Sequence, residues 1–213
     1  MTSPPEPSSP RRVLMVVFQF PPFAGSSAVQ RALRFVQHLP AFGWQPIVLT
    51  ASASGYERVA TEDGQDLPAG VHVERALALD AKRHFAWRGR YPAALARPDR
   101  WRAWQWTGRW CGRRLIRRFR PDAIWSTYPI LSAHEIACAL ARHSRLPWLA
   151  DFRDPVVEEN FPEDPVERAD FARREQRYAS VAAGFTVTTP SLRDWFRVRY
   201  PQLADRVTMI ENG

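Results

Sequence analysis

Residues 11–50 read RRVLMVVFQF PPFAGSSAVQ RALRFVQHLP AFGWQPIVLT. The run 13–18 is short, continuous and rich in valine, which is typical of a strand buried on both faces of a parallel sheet. After a loop, apolar residues recur at helical spacing over 29–40, and Gly43 ends the predicted helix. Because 46–50 is a second apolar run, the stretch predicts a βαβ unit.

The same alternation continues to the end of the chain. Further strands are predicted at 71–75, 123–126, 147–150, 184–188 and 206–210, and helices at about 100–119 and at 131–144, 165–182 and 191–198. Strands that alternate with helices predict an α/β fold with a Rossmann-like open parallel sheet and helices on both faces. Ligands of such sheets bind outside the carboxyl ends of the strands. We therefore expect functional residues in the loops 19–27, 126–134 and 151–160.

Composition bounds the class of protein. The chain has 213 residues, of which 45% are apolar, and this suits one domain over 12–213 that follows a Ser/Pro-rich, disordered leader at 1–11. Cys111 and Cys138 lack metal-ligand spacing and are too few for a disulfide-built secreted domain, which favours a cytoplasmic chain without a zinc site. No run approaches the ~20 apolar residues of a membrane span.

The loop 19–27 lacks the GxGxxG pattern of dinucleotide-binding folds, and the chain has no GxxxxGK[ST] phosphate loop. Its small residues lead into a helix that Ser26 or Ser27 can cap, so the helix N-terminus suits a phosphate group. The alternative is a tight strand-to-helix turn that binds nothing.

Charged residues follow the predicted strand 147–150. Asp151, Arg153 and Asp154 either contact an acceptor or a phosphate at the cleft, or form a self-satisfied Arg–Asp pair that closes the end of the sheet. His134, at the start of a predicted helix, either faces the cleft as a base or bonds a neighbouring backbone group.

The segment 82–120 is strongly basic. It carries thirteen Lys or Arg against one acid, Asp99, so its net charge is +12 while the whole chain has +8. At helical spacing one stripe is apolar and faces the core, whereas Arg102, Trp106, Arg109, Arg113, Arg117 and Arg120 form a solvent-facing stripe. This second stripe is either an ordinary solvated face or a contact for anionic lipid, made by Trp106, Arg109, Arg113 and Arg117. Nucleic acid is a third alternative, and the lack of a recognised binding motif argues against it.

Several short motifs follow one another along the chain: Phe20-Pro21-Pro22, Gly25-Ser26-Ser27, Gln30-Arg31, Leu39-Pro40, Gly43-Trp44, residues 121–127, Ser132-Ala133-His134, residues 146–155 and Ile210-Glu211-Asn212-Gly213. In this order and spacing they resemble the N-terminal domain of bacterial family 4 glycosyltransferases. The resemblance runs from about residue 12 to the end of the chain.

The resemblance implies a GT-B enzyme, in which two Rossmann-like domains face each other across a cleft. Such an enzyme transfers a hexosyl group from a nucleotide-sugar, with retention of configuration and without a metal or another cofactor. The N-terminal domain mostly holds the acceptor, here a glycan or lipid-linked intermediate of the cell envelope or of a polysaccharide. The nucleotide-binding C-terminal domain is expected to be absent, so the isolated chain is expected to be inactive. The alternative is a truncated domain that binds a ligand without catalysis.

Candidate site residues follow from the loops and from the resemblance together. The catalytic candidates are Arg153, Asp151 and Asp154, and the candidates for binding substrate or phosphate are Gly25, Ser26, Ser27, Arg31, Thr127, Tyr128 and His134. Two positions depart from the family pattern: Ser26 stands where relatives often have a second glycine, and Arg153 stands where many have a histidine. The basic segment predicts a peripheral location on the inner face of the plasma membrane.

Overall fold

The computed structural model describes residues 10–24, 27–60, 67–68, 70–86, 88, 90 and 96–212. Within them seven parallel strands form one open sheet in the order β3-β2-β1-β4-β5-β6-β7. The strands are β1 (Arg11–Val16), β2 (Trp44–Ala51), β3 (His72–Ala76), β4 (Ala123–Thr127), β5 (Trp148–Phe152), β6 (Gly184–Val187) and β7 (Val207–Met209). The helices are α1 (Ser27–His38), α2 (Ala81–His84), α3 (Trp104–Phe119), α4 (Leu131–Ser144), α5 (Pro165–Val181) and α6 (Pro190–Arg199).

The predicted Rossmann-like sheet with helices on both faces is confirmed. Alternate residues of β1 supply two separate cores, because successive side chains of a strand point to opposite faces. Met15 packs with Val36 of α1 on one face, and Leu14 packs with residues of α3 and α4 on the other face. The core with Leu14 continues over β5 and β6, where it includes buried residues of α5 and α6. The predicted leader 1–11 lies mostly outside the described residues, and its last residue, Arg11, begins β1.

Helix α3 buries the apolar stripe that its spacing predicts. Trp104, Gly108, Cys111 and Leu115 are all buried. A Cβ atom on Gly108 would lie 2.5 Å from Cδ1 of Ile136 in α4, so α3 and α4 approach closely here and a larger residue would force the Ile136 side chain to shift. The stripe therefore fixes which side of α3 faces α4 and which side is left to solvent.

Most elements begin or end within about two residues of the sequence-based prediction, and two of the differences bear on the site. Helix α3 begins at Trp104 rather than near residue 100, because Asp99 holds the preceding turn. The carboxylate of Asp99 accepts the backbone N–H groups of Trp101 (3.0 Å) and of Ser132 (2.7 Å). It thereby caps α4, whose own N-cap residue, Ile130, provides no side-chain acceptor. The second difference is Asp151, which lies within β5 rather than in the loop after it.

Candidate functional site

A crevice opens at the carboxyl ends of β1 and β4. The chain runs from β1 outward to β3 on one side and from β4 outward to β7 on the other, so β1 and β4 form the topological switch point of the sheet. A small cavity there is lined by Phe18, Gln19, Ala28, Thr127, Tyr128, Pro129 and Ile130. The loop after β1, the first turn of α1 and the loop after β4 therefore converge on one point, as the strand order predicts.

The start of α1 faces this crevice. Ala28, in the first turn of α1, lines the cavity. The predicted phosphate contacts Gly25 and Ser26 lie outside the described residues, and of Ser27 only its position as the first residue of α1 is described. Backbone N–H groups in the first turn of a helix lack partners within the helix and attract anions. A phosphate contact by the backbone of this turn stays a prediction.

Arg31 and Asp151 form a buried ion pair beside the crevice. Arg31 of α1 donates Nε–H to Oδ2 of Asp151 (2.9 Å) and Nη2–H to Oδ1 (2.7 Å), which is a bidentate contact. The side chain of Arg31 is 4% exposed and that of Asp151 is fully buried. Because the guanidinium and the carboxylate are both out of water, each depends on the other for charge compensation.

Two threonines complete the environment of Asp151. Thr127 donates its hydroxyl proton to Oδ2 (2.7 Å) and Thr186 donates to Oδ1 (2.6 Å). Asp151 pairs with both threonines in the sheet register, so one polar row crosses β4, β5 and β6. Each carboxylate oxygen accepts two hydrogen bonds, which leaves no lone pair for a substrate. The geometry gives Asp151 a positioning role, and its partner in the buried ion pair is Arg31.

Arg31 also holds the segment that follows β7. Its Nη1 donates to the carbonyl oxygens of Ile210 (3.0 Å) and Glu211 (3.2 Å) and to Oδ1 of Asn212 (3.1 Å). One guanidinium thus connects α1, β5 and the segment after β7. The predicted binding residues Arg31 and Thr127 are brought together here, but as parts of an internal network beside the crevice.

The remaining candidates, which lie in the loops after β4 and β5, are at the carboxyl edge of the sheet. Arg153 is half-buried, and its carbonyl oxygen accepts the hydroxyl proton of Thr188 (3.1 Å). Asp154 is exposed. Tyr128 is half-buried, and burial together with the charge of Asp154 raises the pKa of its phenol to about 12. Tyr128 is therefore neutral at pH 7 and keeps its proton as a hydrogen-bond donor.

His134 lies in the core and not at the crevice, which corrects its prediction as a binding residue. It is fully buried, and Nδ1 lies 2.7 Å from Oγ of Ser126, which also accepts the indole N–H of Trp148 (2.9 Å). Its ring packs against Phe152 at a centroid distance of 4.7 Å. Burial lowers the pKa of His134 to about 3, so a neutral ring enclosed by aromatic side chains has no access to a substrate.

The solvent-facing stripe of α3 lies where its spacing predicts. Trp106 is 76% exposed, and Arg113 and Arg117 are also exposed. Arg109 is half-buried, with Nη2 at 3.2 Å from Oε1 of Gln105 and 3.8 Å from a carboxylate oxygen of Glu135. Its charge is therefore partly compensated within the domain. Whether these residues contact a membrane stays a prediction.

Sequence reasoning missed three residues of this region. Thr186 and Asn212 complete the network of Asp151 and Arg31, and Trp110 adds a 61% exposed aromatic side chain to α3. A signal for Thr186 was available, since Thr127, Asp151 and Thr186 each stand near the carboxyl end of successive predicted strands. No comparable signal identifies Asn212, because its contact depends on the path of the chain after β7.

Among the described residues, no three His, Cys, Asp or Glu side chains are grouped so that they could hold a metal ion. In the same part of the chain, the helices are too short or too polar to cross a lipid bilayer.

The fold defines an open parallel α/β domain with a crevice at its topological switch point, which is where domains of this class bind their ligands. The chain belongs to the glycosyl transferase 4-like domain family, which it matches over residues 27–213. No curated protein sequence matches it. The solved structures that resemble it include GT-B glycosyltransferases, as the resemblance in sequence predicts.

Three of these structures give the scale of the likeness. Sucrose-phosphate synthase from Thermosynechococcus elongatus has a TM-score of 0.62 at 12% identity, covering 94% of this chain and 48% of that one. UGT2 of Phytolacca americana, complexed with UDP-2fluoro-glucose and pterostilbene, has a TM-score of 0.61 at 12% identity, and the match covers 96% of this chain and 54% of that one. HepE from Anabaena, in complex with UDP-glucose, has a TM-score of 0.54 at 12% identity, and the match covers 95% of this chain and 44% of that one. The chain thus spans about half the length of these proteins.

Removal of either member of the ion pair is expected to destabilise the domain. Asp151→Ala or Arg31→Ala leaves one buried charge without its partner, which typically costs about 3–5 kcal/mol. Urea unfolding followed by circular dichroism measures this change. Asp154→Ala, which removes an exposed carboxylate from the loop that follows β5, is the control and should shift the midpoint little. Equal midpoints for Asp151→Ala and Asp154→Ala would contradict the positioning role.

The buried imidazole of His134 predicts a specific acid sensitivity. The folded protein keeps His134 neutral down to about pH 3, whereas the unfolded chain protonates it near its ordinary pKa of 6.5. Between these two pH values only the unfolded state binds the proton. The contribution of His134 to the free energy of unfolding therefore falls as pH falls, by up to about 1.4 kcal/mol per pH unit. We expect the unfolding free energy of the wild type to decline more steeply from pH 6.5 to 4 than that of His134→Gln. Parallel curves would refute this.

Proposed function

We propose that this domain forms the acceptor-side wall of a glycosyltransferase active site. The observation that carries the proposal is the crevice between β1 and β4, where the first turn of α1 and Tyr128 meet. In open α/β sheets this is the place where ligands bind. Membership of the family supports sugar transfer as the reaction.

The donor in this proposal is a nucleotide-sugar. The UGT2 and HepE structures contain UDP-2fluoro-glucose and UDP-glucose, respectively. A diphosphate suits the N–H groups of the first turn of α1 and the guanidinium of Arg153 at the same sheet edge. The transfer is of the hexosyl type, with retention of configuration and without a metal. A second domain, comparable with the unmatched half of the UGT2 chain, supplies the remaining contacts to the donor, so the isolated domain is inactive.

The acceptor in this proposal is a glycan or lipid-linked intermediate of a cell-envelope or polysaccharide pathway. Tyr128 offers such an acceptor a neutral hydroxyl at the crevice, and Asp154, in the neighbouring loop, offers an exposed carboxylate. Acceptor hydroxyl groups both donate and accept hydrogen bonds, so a phenol and a carboxylate complement them. Asp154 is the one catalytic candidate whose carboxylate is open to solvent for such a contact.

Arg153 tests the transfer function. In a protein that includes the donor-binding domain, Arg153→Ala is expected to lower turnover by about a hundredfold, the usual effect of removing one charged contact to the transition state. The release of nucleoside diphosphate from a panel of nucleotide-sugars measures turnover, and thermal unfolding checks that the fold is intact.

The matched control is Arg142→Ala, which removes an exposed arginine from α4, away from the crevice. It should leave turnover unchanged. Equal rates for the wild type and Arg153→Ala would remove Arg153 from the site. If no nucleotide-sugar is consumed but one still binds, a ligand-binding domain without catalysis becomes the better description.

We also propose that the protein is cytoplasmic and binds peripherally to the inner face of the plasma membrane through α3. Trp106 and Trp110, one helical turn apart, are largely exposed beside the exposed Arg113 and Arg117. Tryptophan prefers the interfacial region of a bilayer, and each nearby arginine is attracted to anionic headgroups by about 1 kcal/mol. Arg109, partly compensated by Glu135, contributes least.

Vesicle sedimentation tests this location. The protein should bind vesicles that contain phosphatidylglycerol, lose affinity with added salt, and ignore pure phosphatidylcholine. Trp106→Ser combined with Arg113→Gln should weaken binding about tenfold. The control is Val198→Ser combined with Arg142→Gln, which likewise removes one exposed apolar side chain and one exposed arginine, on α6 and α4. Equal loss in both variants, or binding that is insensitive to anionic lipid, would contradict the assignment to α3.

A further inference from the structure

A second cavity lies between β3 and the C-terminal half of α3. It encloses about 320 Å³ and is lined by Glu74, Cys111, Arg114, Leu115, Arg117 and Arg118. Three of its six lining side chains are arginines, whereas its inner wall is formed by the buried Cys111 and Leu115. The cavity is therefore a concave, partly apolar space with a cationic rim, which is the general form of a small-ligand site.

This cavity is separate from the crevice at β1 and β4. Near the start of α3, Thr107 donates its hydroxyl proton to the carbonyl oxygen of Leu77, just beyond the carboxyl end of β3. At the other end, the carbonyl oxygen of Phe119 accepts from Arg12 at the start of β1 (2.8 Å). Helix α3 thus runs from the carboxyl edge of the sheet to its amino edge. A cavity beside its last turns lies away from the edge that carries the crevice.

The arginines of α3 that surround this cavity form no ion pair with the described carboxylates. The sequence of α3 contains no Asp or Glu. Within the described part of the chain, no carboxylate forms an ion pair with Arg113, Arg114, Arg117 or Arg118. Like charges four residues apart on a helix repel each other, as Arg114 and Arg118 do. An anion bound between their guanidinium groups would relieve this repulsion.

Aromatic neighbours orient two of these arginines. The guanidinium carbon of Arg114 lies 4.7 Å from the centre of the Trp110 ring, and that of Arg118 lies 4.9 Å from the Phe119 ring. Cation–π contacts of this kind restrict the side chains before a ligand arrives. A restricted arginine loses less entropy when it forms a bidentate contact with a phosphate group.

Glu74 limits what can occupy the cavity. Its carboxylate lines the same space, and one of its oxygens lies 3.6 Å from Nε2 of His72 on the same strand. A bare anion that filled the cavity would face this negative charge. A ligand that carries a hydroxyl or ammonium group beside its phosphate would donate a hydrogen bond to Glu74 instead.

We propose that this cavity binds a phosphate ester, with its phosphate between Arg114, Arg117 and Arg118 and a hydroxyl or ammonium group of its alcohol part at Glu74. Soluble phosphate esters and the headgroups of phospholipids share this chemistry. The site is independent of sugar transfer, because none of its residues lies at the crevice.

Calorimetric titration of the protein with glycerol 3-phosphate tests the site. The double variant Arg114→Gln/Arg118→Gln is expected to bind at least about tenfold more weakly than the wild type, as befits the loss of charge-assisted contacts. The control variant Arg34→Gln/Arg142→Gln removes the same charge from exposed positions on α1 and α4, and should bind like the wild type. No binding by the wild type, or equal loss in the two variants, would overturn the proposal.

Two further arms define the ligand. Inorganic phosphate, which has no alcohol part, should bind more weakly than glycerol 3-phosphate, and equal affinity would overturn the role of Glu74. Vesicles that contain phosphatidylglycerol separate the two sources. If glycerol 3-phosphate releases the wild type from these vesicles but does not release Arg114→Gln/Arg118→Gln, the ligand is a lipid headgroup. If it leaves the vesicle binding of the wild type unchanged, the ligand is a soluble ester.

Discussion

The buried ion pair of Arg31 and Asp151 is the contact on which the arrangement of the crevice depends. Two charges removed from water stabilise a fold only when each finds a partner in good geometry and the remaining lone pairs are satisfied. Here Thr127 and Thr186 satisfy the carboxylate from the neighbouring strands, and Nη1, the guanidinium nitrogen that does not contact Asp151, donates to the carbonyl oxygen of Ile210. Helix α1, three strands and the segment after β7 are therefore placed relative to one another by one group of side chains.

Much of this fold can be read from the sequence because its signals are local. The run 13–18 predicts a buried strand by composition alone, and 131–144 predicts α4 with its observed boundaries. The pairing of Arg31 with Asp151 cannot be read in this way, since 120 residues separate them and nothing in either local pattern specifies the other. The start of α3 is missed for the same reason, because Asp99 turns away to cap α4 through Ser132, 33 residues further along the chain.

The sequence can place a candidate residue at the carboxyl edge of the sheet without determining which way its side chain points. His134 lies in the first turn of α4, as predicted, yet this helix packs against the sheet, α3 and α5, and its first turn is buried. A hydrogen bond to Ser126 and contacts with aromatic rings turn the imidazole inward. Asp151 is also selected from the sequence as a candidate site residue. Its carboxylate is important for the fold, because all four of its hydrogen bonds are made within the domain.

The distribution of charge separates two surfaces with different chemistry. The segment 82–120 carries a net charge of +12, so the rest of the chain sums to −4, and the unpaired cations described above lie on the outer side and the last turns of α3. Beside the crevice, by contrast, the buried charge of Asp151 is neutralised by Arg31, and Tyr128 is uncharged. A domain attached to an anionic surface through α3 would therefore keep its crevice free of competing headgroups. Because long-range attraction acts on the basic helix and specific hydrogen bonds act at the crevice, each can change in evolution without disturbing the other.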